Sequence, residues 1–176
     1  MLDRTDDISI ATENWLAQFE SALAQPDDPR LKTLFHPDSY WRDALALSWN
    51  LQTINGADAI LRELKARAGS ATPRGFRIDP DRAAPRRVDR AGTNSIETIF
   101  KFETATGRGS GILRLIPDAR DGNRLKAWTL LTALEELKGF EEPLGIARPR
   151  GQAYSRDFRG PNWLDLRKAA AAEFCG

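Results

Sequence analysis

LFHPDSYWRDALALSWNLQTING, residues 34–56, places one carboxylate in an otherwise apolar strand and is the stretch that decides the fold. The side chains of a strand alternate between the two faces of a sheet. If residues 40–49 form a strand, one face carries Trp41, Asp43, Leu45, Leu47 and Trp49. An acid on such a face needs a hydrogen-bonding partner or a function, so Asp43 is the first candidate site residue.

Length, charge and cysteine content narrow the class of protein. A chain of 176 residues suits one main domain with its own hydrophobic core. Its 26 basic and 25 acidic residues nearly balance, so we expect neither nucleic acid nor a membrane as a partner. The single cysteine, Cys175, and the single histidine, His36, leave no intrachain disulfide and no ligand set for a metal. We therefore expect a cytoplasmic protein that binds no metal.

The first third of the chain predicts helices on either side of this strand. Trp15, Leu16, Phe19 and Leu23 recur at helical spacing after Thr12, a residue type that favours the N-cap position. The predictions are a flexible segment at residues 1–10, helices at residues 12–25 and 57–68, a short helix opened by Pro29, and a turn at residues 36–38.

The second half predicts an antiparallel sheet. Ile96, Thr98, Phe100 and Phe102 alternate with mostly charged residues, as expected for a strand with one solvated face. The predicted strands span residues 76–79, 86–89, 95–104, 111–116 and 125–134, with a glycine-rich turn at residues 106–109. Helices followed by strands predict an α+β domain in which a curved sheet folds around the early helices.

The end of the chain differs in composition from the rest. It is rich in glycine, proline and arginine up to Asn162, which is poor material for a core. We expect residues 139–176 to form an extended strap or linker that ends in a short helix, from Asn162 or Trp163 to Phe174. The main domain is then residues 11–138.

This order of elements, with Trp41-Arg42-Asp43 in the first strand and Gly56 before the third helix, resembles the nuclear transport factor 2 superfamily. Members of that superfamily include ketosteroid isomerases, scytalone dehydratases and polyketide cyclases. The resemblance implies a cone-shaped α+β fold in which a bent, mostly antiparallel sheet packs on three helices. If the chain is a binding or assembly module, we expect it to form a homodimer through the open face of the sheet.

A more specific resemblance involves residues 34–60 and the tail GIARPRGQAYSRDFRGPNWLD, residues 145–165. Both are similar to the N-terminal domain of flavin-dependent monooxygenases, which implies an accessory module whose partner is a flavoenzyme. The sequence GRGSG at residues 107–111 lacks the third glycine of a dinucleotide fingerprint and lies between two predicted strands instead of opening a helix. We therefore expect no flavin, no nicotinamide and no other cofactor in this chain.

Asp43 has two interpretations. An acid at the matching place is the general base of ketosteroid isomerases, so the resemblance implies an isomerase, cyclase or dehydratase that moves a proton with Asp43. Such a reaction also needs a hydrogen-bond donor for the enolate oxygen, yet the first predicted helix has no tyrosine and residues 125–134 include no acid. In the other interpretation, Asp43 pairs with an arginine or accepts hydrogen bonds from backbone amides.

The aromatic residues also have two interpretations. They pack between the helices and the sheet, or they line a pocket in which a small apolar ligand donates a polar hydrogen to Asp43. The candidate ligand-binding residues are Trp15, Trp41, Asp43, Phe100 and Trp128. Two functions stay open, a non-catalytic binding or assembly module and a cofactor-independent enzyme.

Overall fold

The computed structural model of the chain describes residues 4–25, 29–148 and 160–174. The chain divides into two compact units, Met1–Glu141 and Glu142–Gly176. The described α-helices and strands are α1 (Arg4–Leu23), α2 (Arg30–Thr33), β1 (Phe35–Ala44), β2 (Leu51–Asn55), α3 (Ala57–Ala71), β3 (Arg74–Ile78), β4 (Arg86–Arg90), β5 (Thr93–Glu103), β6 (Gly107–Asp118), β7 (Arg124–Leu137) and α4 (Trp163–Phe174), and two short 3-10 helices span Ala119–Asp121 and Gly145–Ala147.

Within the described residues, the strands form one sheet in the order β2-β1-β7-β6-β5-β3. β4 also pairs with β5, along the half of β5 that β3 does not occupy. β1 and β7 are parallel and the other pairs are antiparallel. The predicted α+β class, with a mostly antiparallel sheet and a β5–β6–β7 meander, is confirmed.

Helix α1 begins earlier than the sequence predicts. It starts at Arg4, so residues 4–10 are helical and the prediction of a flexible segment is wrong for them. Thr12 is not an N-cap, because its hydroxyl lies inside the helix and donates to the Ile8 carbonyl at 2.9 Å. Ile8 packs against the core and extends the apolar face of the helix by one turn, which explains the early start.

The first strand is shifted by five residues from its predicted position. β1 runs from Phe35 to Ala44, and the predicted turn at residues 36–38 lies within it, at an irregularity in the register with β7. The strand ends at Ala44 because the next residue, Leu45, has a positive φ angle of 65°, outside the extended region of a strand; Trp49, later in the same loop, has a φ angle of 57°. The prediction that Leu45 and Trp49 share a strand face with Asp43 is therefore wrong.

The glycines at residues 107–111 belong to β6 and not to a turn. A Cβ on Gly111 would overlap the Phe100 ring and the Leu131 carbonyl oxygen, and a Cβ on Gly109 would approach the Phe102 ring. Each aromatic ring thus lies across the neighbouring strand at a position that only glycine leaves open. These contacts account for the glycines without a phosphate ligand.

The inner face of the sheet is filled by aromatic side chains. Phe19 of α1 is stacked on Trp15 with ring centroids 4.9 Å apart, and its other edge meets Phe76 of β3 at 5.3 Å. Phe76 in turn stacks on Phe102 at 5.0 Å and lies against Phe100. This chain of rings joins α1 to the sheet across the middle of the core.

The second unit contains the predicted terminal helix, α4. The Asn162 side chain accepts hydrogen bonds from the amides of Leu164 and Asp165, and the Asp165 carboxylate accepts from the Asn162 amide. This reciprocal capping explains why the helix begins at Trp163. The rest of the predicted strap or linker includes residues 149–159, which lie outside the described residues.

Candidate functional site

Asp43 lies at the end of β1 and is fully buried. Its Oδ2 accepts from the Ser48 amide at 2.7 Å and from the Ser48 hydroxyl at 2.6 Å. The Leu47 amide donates to both carboxylate oxygens at 3.1–3.2 Å, and the Thr132 hydroxyl donates to Oδ1 at 2.6 Å. All four donors are neutral, and two are backbone amides, so Asp43 takes the amide-capping arrangement and not the arginine pair.

These hydrogen bonds fix the loop between β1 and β2, residues 45–50. The Leu45 amide also donates to the Asn50 carbonyl at 3.1 Å, which closes the base of the loop. Leu45 and Trp49 hold left-handed backbone conformations that cost about 1–2 kcal/mol each for L-residues. The four bonds to Asp43 offset this strain, because charge-assisted hydrogen bonds in a buried site are among the strongest in proteins.

Trp41 and Asp43 are brought together through Thr132 of β7. The Trp41 indole donates to the Thr132 hydroxyl at 2.9 Å, and that hydroxyl donates onward to Asp43. Thr132 and Ser48 are the site residues that the sequence interpretation missed. The alternation of β7 carries the missing signal, since Leu130 and Thr132 lie on the same face as Trp41 and Asp43 in the β1–β7 register.

The other candidate ligand-binding residues lie in different surroundings. Trp15 is buried and its indole donates to the Leu34 carbonyl at 3.0 Å, while Phe100 is fully buried among the aromatic rings of β3 and β5. Trp128 is half-buried at an irregularity in the β6–β7 register. Trp41, Asp43 and Phe100 are fully buried and present no surface to a ligand in this structure. That they line one ligand pocket therefore stays a prediction.

Three of the clefts formed by the described residues border the helices. One of about 580 Å³ lies between Ile8 of α1 and Ile96 of β5, and one of about 210 Å³ continues past Leu125 to Trp15. A third, of about 640 Å³, lies at the start of α3 and is bordered by Lys32 and Arg62. Asp43, Trp41, Phe100 and Trp128 line none of the three.

The outer face of the sheet carries an apolar row across its middle. Cross-strand neighbours Leu131, Ile112 and Ile99 form this row and are each partly exposed. Arg42 continues the row on β1, where it pairs with Leu131 and donates to the Thr53 hydroxyl. Partly exposed isoleucine and leucine in adjacent strands give this face a continuous apolar strip.

A positive cluster lies on one side of the apolar row. Arg114 binds the nearly buried Glu97 at 2.7 Å, and Arg86 and Arg90 approach the same carboxylate at 3.4 and 3.3 Å. Burial opposes ionisation of Glu97, but hydrogen bonds from Arg90 and Arg114 outweigh it, so the pKa of Glu97 lies below its ordinary value. Three guanidinium groups around one carboxylate leave a net charge of +2.

A negative cluster lies at the other end of the same strands. Arg108 binds Glu136 at 2.7 Å and Glu141 at 3.1 Å, and Lys138 binds Glu103 at 3.0 Å. Glu135 accepts a hydrogen bond from the Ser110 hydroxyl at 2.6 Å and adds a fourth carboxylate. Arg74 of β3 lies opposite Glu103 and adds a third cation, so four carboxylates with three cations leave a net charge of −1. The outer face therefore carries opposite charges on the two sides of its apolar row.

The described parts of the chain show no sign of a membrane span or a metal centre. None of their helices is both long enough and apolar enough to cross a bilayer. Nor do three or more histidine, cysteine or acidic side chains among them come together as a group that could hold a metal ion.

Comparison with known structures identifies the fold. An NTF-2 like protein of unknown function from Silicibacter pomeroyi has a TM-score of 0.53 at 13% identity, covering 76% of this chain and 100% of that chain. A nuclear transport factor 2-like superfamily protein from Salmonella enterica has a TM-score of 0.51 at 10% identity, covering 83% and 99%. No family model and no curated protein matches the sequence. The chain therefore has a nuclear transport factor 2-like fold, as predicted, and similarity at this identity extends to the fold alone.

Proposed function

We propose that this protein is a non-catalytic assembly module that forms a homodimer through the outer face of its sheet. The observation that carries the proposal is the apolar row of Leu131, Ile112 and Ile99 between clusters of opposite net charge. Apolar surface flanked by complementary charges is the usual composition of a specific protein interface.

The arrangement of charge also selects one geometry for the dimer. When two such faces meet about a two-fold axis along the apolar row, the row of one copy lies on the row of the other. The same rotation exchanges the two sides, so the positive cluster around Glu97 meets the negative cluster around Glu136. An axis that matched like clusters would bring whole clusters of equal charge together, which is unfavourable, whereas the axis along the row places only Arg42 against Arg42 of the second copy.

The interior supports a non-catalytic role. Both oxygens of Asp43 are occupied by four donors of the chain itself, and the neighbouring Trp41 side chain is fully buried. A general base must present a lone pair to the substrate proton within hydrogen-bond reach. Asp43 would have to release Ser48 or Thr132 before it could do so.

Sedimentation over a range of concentrations tests the dimer. We expect a dimer that dissociates on dilution, and we expect Ile112→Glu to give a monomer because it places a charge in the apolar row. Ile10→Glu on α1 makes the same change at a side chain that is 51% exposed and lies off the sheet, so it is the matched control. Raising the ionic strength should weaken the wild-type dimer. A wild-type protein that stays monomeric at every concentration would refute the proposal.

The similarity of the tail to flavin-dependent monooxygenases supports a narrower form of the proposal, in which the dimer accompanies a flavoenzyme. The relevant test is association of the purified chain with the product of a flavoprotein gene adjacent to its own. In this form the flavin belongs to the partner, so the purified chain should show no flavin absorbance. A stoichiometric flavin spectrum would overturn it.

A cofactor-independent isomerase, cyclase or dehydratase is the second candidate. The observation in its favour is the buried carboxylate of Asp43 on the inner face of the sheet, next to Thr132. If Asp43 is a general base, Asp43→Asn abolishes turnover of a carbonyl substrate while the melting temperature is retained. If it organises the loop, the same variant loses stability.

A further inference from the structure

The loop between β1 and β2 holds large apolar side chains in solvent. Leu45 and Trp49 are 40% and 55% exposed, whereas residues 46–48 between them are buried, and Leu51, the first residue of β2, is 69% exposed. The buried half carries the amides that bind Asp43. The loop is thus anchored on its inner side and displays its apolar side chains on the other.

The backbone conformation of the loop holds these apolar side chains in solvent. Leu45 and Trp49 have φ angles of 65° and 57°, a left-handed conformation that bulky residues rarely adopt. A buried carboxylate keeps them there through Leu47 and Ser48. Backbone strain that the surrounding structure maintains is concentrated at functional sites, including active sites, ligand clamps and switch regions.

The register places part of this patch on the outer face of the sheet. Leu51 is opposite Ala44, which is opposite Ala133, and all three lie on the outer face. Tyr40 lies on the same face of β1, two positions beyond Arg42, and is 45% exposed. Leu51 and Tyr40 therefore lie on opposite sides of the apolar row at one edge of the sheet.

We infer that Trp49 and Leu51 of one copy pack against Tyr40 of a second copy. This inference rests on the proposed dimer and deepens it. A two-fold axis along the apolar row places the Leu51 side of one copy over the Tyr40 side of the other copy. The loop of each copy therefore meets Tyr40 of the other. The symmetry gives two identical contacts, one on each side of the axis.

The partner is a second copy of this chain for two reasons. The patch is continuous with the apolar row, and the axis that brings the loop onto Tyr40 is the one that joins the charge clusters of opposite sign. Tryptophan and tyrosine are also the residue types that most often dominate the energetics of an interface. Asp43 acts in this contact as a positioning residue, because it fixes the loop that carries Trp49.

Sedimentation equilibrium with single and double variants tests the contact. Trp49→Ser and Tyr40→Ser should each raise the dissociation constant of the dimer roughly 10–100-fold. The double variant should raise it by less than the product of the two, because both changes remove the same contact. Trp163→Ser is the matched control, since Trp163 is 71% exposed on α4 and should leave the constant unchanged. Far-UV circular dichroism confirms that each variant keeps its fold.

The outcomes separate this contact from the dimer itself. A dimer that Ile112→Glu disrupts but that Trp49→Ser and Tyr40→Ser leave unchanged would refute the loop contact and retain the proposed function. Equal weakening by Trp163→Ser would also refute the loop contact, because the effect would not be specific to it. A wild-type monomer at every concentration would refute both. Weakening by Trp49→Ser and Tyr40→Ser, with coupling between them, supports the contact.

Discussion

Replacement of Asp43 by asparagine should destabilise the main unit and loosen the loop at residues 45–50. The change keeps the size of the side chain but turns one acceptor oxygen into an amide that can only donate. If the remaining oxygen stays on the Ser48 amide, the new amide group faces the Thr132 hydroxyl. That hydroxyl already accepts from the Trp41 indole, so its own proton loses its acceptor.

The magnitude follows from these contacts. One buried donor without an acceptor costs about 1–3 kcal/mol. The three hydrogen bonds that remain are made to a neutral amide oxygen instead of a carboxylate, and each can lose up to about half of its strength. We expect a total loss of about 3 kcal/mol, or roughly 6–12 °C in the melting temperature of a unit of this size. Asp43→Ala leaves all four donors unpaired and should cost more.

Urea denaturation followed by tryptophan fluorescence gives the loss of stability, and limited proteolysis reports the loop. A protease that cuts after aromatic residues should cleave at the exposed Trp49 faster in Asp43→Asn than in the wild type. Asp38→Asn, on the same strand with an 80% exposed carboxylate, is the matched control and should change neither. If Asp43→Asn matched that control in both assays, the carboxylate would not be what holds the loop.

Two further predictions concern the sheet. Gly111→Ala should lower the free energy of unfolding by about 3 kcal/mol, because the new methyl group overlaps the Phe100 ring and the backbone of β7. Gly69→Ala in α3 is the control, since its methyl group meets open space and should raise the free energy of unfolding by up to about 1 kcal/mol. Equal melting temperatures of the two variants would contradict this prediction. Glu97→Gln should cost about 2 kcal/mol at neutral pH by leaving the guanidinium of Arg114 without its carboxylate. The pKa of Glu97 is lowered from 4.5 in the folded state, so its contribution is present above that value and is lost as pH falls through the lowered pKa. The stability difference between wild type and variant should therefore vanish in acid, and a difference that persists there would show that the lost interaction is not ionic.

Helices and strands that follow from the local sequence pattern were predictable, whereas those whose ends depend on contacts with residues elsewhere in the chain were not. The alternation from Ile96 to Phe102 sufficed to predict β5, and the change in composition at Asn162 sufficed to predict α4. The end of β1 was misplaced because the apolar alternation continues to Trp49, while the strand stops where the Asp43 carboxylate captures the next amides. Local propensity does not predict a left-handed conformation at leucine or tryptophan.

The candidate site was predicted in part for the same reason. The pattern alone singled out Asp43 as a buried acid on the inner face, and its burial is confirmed. Its hydrogen-bonding partner Thr132 lies 89 residues away, and only the parallel register of β1 and β7 joins them. The ion pairs of Glu97 likewise depend on its being opposite Arg114 and Arg86 in adjacent strands.

The position of an acid within a fold does not by itself decide whether it works as a base. A general base must keep a lone pair for the substrate, whereas Ser48 follows Asp43 by five residues and supplies both an amide and a hydroxyl to one of its oxygens. With the Thr132 hydroxyl on the other oxygen, the carboxylate is used to hold the loop in a strained conformation. In this strained loop Trp49 is 55% exposed to solvent, next to Leu51, which the register places on the outer face of the sheet. The buried acid and the proposed dimer contact are therefore linked through the loop, and Asp43→Asn should weaken self-association as well as lower stability.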